Sequence, residues 1–166
     1  MASLGHVAVG MAAGRAYGRR GRAAIVAMAV FSAISLLPDL DVVAFALDIP
    51  YAHAFGHRGA SHSLAATLAL GVLALVPPSE SRLRTGIFVA LVAASHSVLD
   101  ALTDGGLGVA LLWPFTGARF FAPWQPIPVA PIGANMLSAR GLYVIAVEAV
   151  LFAPFFVFAL WPRRPR

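Results

Sequence analysis

The chain has 166 residues, 60% hydrophobic and only 11% charged, with a formal net charge of +5. Soluble domains sit near half apolar and a quarter charged, so this balance and a mean hydropathy of +0.82 point to lipid as the solvent. No cysteine occurs, which excludes disulfides, iron–sulfur clusters and thiolate zinc and leaves His, Asp and Glu to hold any metal. All twelve basic residues are arginines. They gather in short blocks instead of a stripe with interleaved aromatics, so nucleic acid is not the expected partner. The length fits a single domain over 1–166.

Five apolar stretches follow one another: 3–18, 23–37, 63–76 (closed by Pro77-Pro78), 86–102 and 142–161. The last has the ~20 residues that cover a hydrocarbon core, while the second to fourth are shorter than ideal. Together they predict an all-α integral membrane bundle of four to five helices. Residues 111–133, LLWPFTGARFFAPWQPIPVAPIG, form a long loop rich in proline and aromatics, expected to lie along the outer interface as a belt or lid. Arginine placement sets the orientation. Arg15, Arg19, Arg20 and Arg22, then Arg82 and Arg84, then Arg163, Arg164 and Arg166 fall on one side if the segments alternate. That side is expected to be the cytoplasm, with the C-terminus there; Arg58, Arg119 and Arg140 fall on the other.

On this map four polar clusters from distant parts of the chain meet at one depth on the outer side. His6 lies near the start of the first segment and LPDLD (37–41) near the end of the second. HRGASHS (57–63) opens the third, and HSVLD (96–100) closes the fourth. His96 and Asp100, four apart, project from one helical face; they can ligate one ion, or the acid can orient the imidazole. Asp39 and Asp41 would diverge on a continuous helix, but a turn at Pro38 can aim both inward. Two close carboxylates repel unless a cation or proton lies between them. Ser61 is expected to cap a helix starting near His62. Arg58, between His57 and His62, suits a phosphate or carboxylate. His6 reads as a ligand or an interfacial histidine, His53 as structural, and Glu148 as an intramembrane acid outside the site.

The order of these motifs, a His-bearing first helix, LPDLD, HRGxSHS, HxxxD and then LTDGG with LLWPF, resembles the membrane-bound metal-dependent hydrolases typified by YdjM, LexA-regulated in some bacteria. The likeness covers about residues 5–116. Related sequences often carry an aromatic residue at Ala60, threonine at Ser61 and a further histidine at Val42. The resemblance implies a hydrolase of bundled helices with Asp39, Asp41, His57, His62, His96 and Asp100 as the candidate site. The spacing is also distantly similar to zinc-dependent phospholipase C, an analogy only.

The expected function is metal-assisted hydrolysis at the outer interface of a bacterial inner membrane, on a phosphoester of a lipid or similar amphiphile. Zinc suits the His and Asp ligands His6, Asp41, His57, His62, His96 and Asp100, with manganese or iron as alternatives. Asp39 or Asp41 would act as base while Arg58 stabilises the anionic transition state. Thr103, Asp104 and Gly106 would shape the rim. The rival reading is a membrane carrier that moves ions or protons through the same His and Asp residues. The sequence does not fix the oligomeric state.

Overall fold

In lipid a segment must satisfy its own backbone N–H and C=O groups, and the apolar stretches accordingly fold as helices. The computed structural model describes residues 3–18, 20–77 and 81–162; Arg19, Pro78, Arg163, Arg164 and Arg166 lie outside them. In chain order the α-helices are α1 (Ser3–Ala16), α2 (Arg22–Leu36), α3 (Val43–Ala46), α4 (Leu64–Leu73), α5 (Arg82–Ala101), α6 (Ala139–Leu151) and α7 (Ala153–Leu160). Among the described residues no strand forms; the extended contacts are two isolated bridges, Thr103–Ile127 and Val109–Phe120. Two helical runs, Arg22–Ala46 and Arg82–Ala101, are long and apolar enough to cross a membrane.

The expected turn at Pro38 is a 3₁₀ stretch, Leu37–Val42, that joins α2 to α3, with Pro38 in its first turn. A missing N–H costs little there. The last segment is not one straight helix but α6 and α7, bent by 60° at a break. Pro154, near the start of α7, cannot donate to the preceding turn, and its ring crowds it. The cap of α4 is Ser63, which accepts the Ala66 N–H at 3.1 Å, and not Ser61.

Helix packing brings the polar ends together. Gly10 and Gly14 of α1 lie directly against the backbone of Ser32 and Met28 in α2, where a Cβ would have no room. Small residues four apart allow this close antiparallel approach. Phe31 and Ser35 of α2 meet Phe88 and His96 of α5, so those two helices run parallel. Gly71 of α4 lies against Gly86 and Ala90, making α4 antiparallel to α5. Three successive reversals, from α1 to α2, to α4 and to α5, therefore leave His6, Asp39, His62, His96 and Asp100 at one end and Arg15 and Arg84 at the other.

Each end has its own apolar core. Phe31, Val89 and Val92 pack with Tyr17 and Phe88 at the arginine end. Ala8, Ile127 and Phe152 pack with Leu99 and Leu102 near the polar end. Ile127 comes from the loop after α5, whose backbone folds back on the bundle. Its N–H donates to Leu102 O at 3.2 Å, Leu64 N–H donates to Leu111 O at 3.0 Å, and Ala110 N–H donates to Arg58 O at 3.0 Å.

Candidate metal centre

Two local features of the chain aim the side chains. The 3₁₀ stretch winds at three residues per turn, so Asp39 and Asp41 diverge by roughly 120° instead of the roughly 160° of an α-helix. Both therefore face the same cluster from slightly different sides. The segment before α4 is a series of turns in which Arg58 takes φ +60°, a conformation costly for a residue with a Cβ. This places His57, Arg58 and His62 on the same cluster. His6, His62, His96 and Asp100 are 0% exposed, His57 and Arg58 1%, and Asp39 7%.

One ligand atom each from Asp39, His62, His96 and Asp100 lies within 4.8 Å of the other three. The Nε2 atoms of His62 and His96 face each other at 2.9 Å. Asp39 Oδ1 stands 3.4 Å from His96 Nε2 and 3.7 Å from His62 Nε2; Asp100 Oδ2 stands 3.7 and 3.4 Å from the same atoms. Ligands ~2.0–2.2 Å from a tetrahedral ion are themselves roughly 3.3–3.6 Å apart, close to the four carboxylate–imidazole separations, while the two Nε2 atoms at 2.9 Å are closer than that. His96 Nδ1–H donates to Ser35 O at 2.6 Å, which leaves the Nε2 lone pair pointing inward. Neither carboxylate oxygen of Asp39 accepts a hydrogen bond, nor does either ring nitrogen of His6 make one. His6 stacks on His96 with ring centroids 3.8 Å apart, its Nε2 3.5 Å from Asp100 Oδ1.

Asp41 and His57 form a second group with His62, and its atoms are differently engaged. Asp41 Oδ1 bonds His57 Nδ1 at 2.6 Å, and Oδ2 accepts the Arg58 N–H at 3.0 Å and the Ser61 hydroxyl at 2.5 Å. His62 Nδ1 lies 3.1 Å from the same oxygen. Asp41 thus orients His62 by its outer nitrogen, the arrangement that holds a metal-binding imidazole in place. Burial opposes the charged form of His62, but Asp100, Asp39 and Asp41 prevail and its pKa is pushed up to about 10.

Arg58 is not an open fork. Its Nε pairs with Asp100 Oδ2 at 3.0 Å and its Nη1 donates to Gly105 O at 2.9 Å, leaving Nη2 buried and without a hydrogen bond. Thr103 is buried, its hydroxyl donating to Asp100 O at 2.8 Å. Gly106 lies beside Arg58 and Tyr51, whereas Asp104 is exposed and accepts the Val129 N–H. His53 is exposed and apart from the cluster.

Two residues here carry more than the sequence suggested. Arg119 donates to the carbonyls of Tyr51, His53, His57 and Gly108, tying the later loop to the one that holds His57 and Arg58. An arginine among aromatics, on the side poor in arginine, was the available clue. Glu148 is fully buried and accepts the N–H groups of Leu4 and Gly5, beside His6. Nothing in its local sequence reveals a partner 143 residues away.

The model of the YdjM inner membrane protein family matches residues 1–164. The chain belongs to that family. Inner membrane protein YbcI of Escherichia coli (strain K12) is 38% identical over 123 residues, covering 72% of this chain and 71% of that protein. No solved structure matches. Membership of the YdjM family and the apolar helices put the protein in the inner membrane, with a buried His/Asp group able to hold a metal ion.

Proposed function

We propose that this YdjM-family protein is a metal-dependent hydrolase of amphiphilic phosphoesters, working as one membrane-embedded domain at the outer membrane–water interface. The observation that carries the reading is the buried convergence of Asp39, His62, His96 and Asp100. Three carboxylates (Asp39, Asp41 and Asp100) against one guanidinium leave a formal charge of −2 when the imidazoles are neutral, which a divalent cation cancels. Without one, each ionised group inside a span costs roughly 2.5–3.5 kcal/mol on insertion scales. His62, His96, Asp39 and Asp100 would hold the ion, with His6 as a further donor, and zinc suits the set, with manganese or iron as alternatives.

A divalent ion held there would supply Lewis-acid polarisation of the scissile phosphoryl group. Of the two acids, Asp39 would leave one oxygen off the ion to accept a proton, because its oxygens accept no hydrogen bond whereas those of Asp41 are occupied. Arg58 steadies Asp100 and offers its remaining Nη2 to an anionic substrate. The bundle is multi-pass with its arginine end in the cytoplasm. Arg15 donates to Ala159 O in the last turn of α7, which supports a cytoplasmic C-terminus. The loop after α5, with Phe115 and Trp124 exposed, rests on the outer interface beside the bilayer lipid.

The test is metal analysis of the purified protein, paired with hydrolysis of an amphiphilic phosphodiester and with ion flux in vesicles. Divalent metal retained by the wild type, and cleavage that disappears on chelation, are expected. A metal-loaded protein that cleaves no ester but moves ions would replace the hydrolase with the carrier.

A further inference from the structure

Neither ring nitrogen of His6 makes a hydrogen bond, so its place is set by its stack on His96 and by where α1 sits. The first N–H groups of a helix have no partner within it, and the first turn of α1 carries no acid of its own. Glu148, from α6, supplies what is missing: Oε2 accepts the Leu4 N–H at 2.8 Å and the Gly5 N–H at 3.0 Å, one residue short of His6. A carboxylate at a helix N-terminus also complements the helix dipole. On the same turn Gly5 lies against the Phe152 ring so closely that a Cβ there would overlap it. Phe152 sits at the break between α6 and α7.

We propose that Glu148 is a positioning residue for the metal centre: it fixes the first turn of α1, and so holds the otherwise unbonded His6 ring at the ligand cage. The bent pair α6 and α7 is then part of the site, although it contributes no ligand to it. The inference rests on the metal reading above and adds to it a dependence of His6 on a residue that never meets the ion.

Cobalt(II) titration of the full chain in detergent tests it through affinity and the visible spectrum. Glu148→Met fills the space of the acid but accepts nothing. It should weaken cobalt binding three- to thirtyfold and give the spectrum of His6→Ala. Glu148→Gln keeps an oxygen for both N–H groups and should stay within about twofold of wild type. In the His6→Ala background, Glu148→Met should cost nothing further, because its effect runs through that ring. Gly5→Ala, which pushes α1 off Phe152 and leaves Glu148 intact, should reproduce the spectral change. Wild-type binding by Glu148→Met, or a loss that simply adds to that of His6→Ala, would overturn the positioning role and leave the metal centre standing. A wild type that takes up no cobalt would overturn the metal reading, and this role with it.

Discussion

The two ends of the helical bundle use charge in opposite ways. At the arginine end, Arg84 donates to Tyr17 O at 2.8 Å beyond the end of α1 and lies over the rings of Tyr17 and Phe88. Arg15 donates to Ala159 O in the last turn of α7 and lies over Phe158. Those cations meet helix C-terminal carbonyls and aromatic faces, the partners that stabilise a helix end. At the other end, charged groups meet each other. Imidazole nitrogens face one another across 2.9 Å, and the oxygens of Asp39 accept no hydrogen bond. The first arrangement is complete as it stands, whereas the second is complete only around a cation.

The sharpest way to break that contrast is to remove a ligand. His96→Ala and Asp100→Asn should each weaken metal binding at least a hundredfold while the protein still inserts; Asn is chosen because removing the acid outright strands the buried Arg58. Elemental analysis after dialysis checks it. Full occupancy in both variants would mean that the cluster is a hydrogen-bonded core and not a cage.

Asp41 tests whether orientation matters apart from ligation. It engages His57, Ser61 and the Arg58 backbone while facing the outer nitrogen of His62. Outer partners of this kind carry ~10–100-fold in affinity. Asp41→Ala should fall in that range, below the ligand variants; a loss equal to theirs would make Asp41 itself a ligand.

Arg58→Lys should lower hydrolysis by ten- to a hundredfold, equivalent to ~1.4–2.7 kcal/mol of transition-state stabilisation. An ammonium keeps the charge but cannot reach Asp100 and Gly105 together as the fork does. Metal binding should also weaken, by less, since the pair with Asp100 is disturbed. Unchanged kcat/KM would remove Arg58 from the chemistry.

Acidity gives a smaller and graded effect. His62, with its pKa pushed up to about 10, carries a proton at neutral pH in the metal-free protein. An ion must displace that proton to reach Nε2, so apparent affinity should rise with pH between 6 and 8, by up to about tenfold per unit. Calorimetry in buffers of different ionisation enthalpy would measure the released proton. Affinity independent of pH would take His62 out of the cage.

Much of this contrast was legible in the sequence, because both halves of it rest on periodicity. The arginines mark one end of each of the first four hydrophobic segments, and the His and Asp motifs mark the other. What sequence could not supply was the division of labour within the cluster. Asp39 and Asp41 look equivalent in LPDLD, and only the 3₁₀ winding separates a carboxylate facing the cage from one bonded to its neighbours. Ser61 reads as the cap of α4, but a distant acid, Asp41, takes its hydroxyl and Ser63 caps the helix instead. The break before Pro154 was not read from the sequence, and its consequence, a bent helix pair that reaches His6 through Glu148, depends on tertiary packing.

The smallest expected effect lies at the arginine end, and it is the control that gives the others their meaning. Arg84→Ala removes a hydrogen bond to a helix C-terminal carbonyl and contacts with two aromatic rings, at a partly solvated site. Such contacts are worth ~0.5–1 kcal/mol, enough to lower the melting temperature by a few degrees in detergent. Metal affinity and its pH dependence should not move, because Arg84 lies at the far end of α5 from His96 and Asp100. If Arg84→Ala instead weakened metal binding as much as Asp41→Ala does, the two ends would be one cooperative unit. Loss of metal in any variant would then report the stability of the bundle, and only changes in the cobalt spectrum could identify ligands.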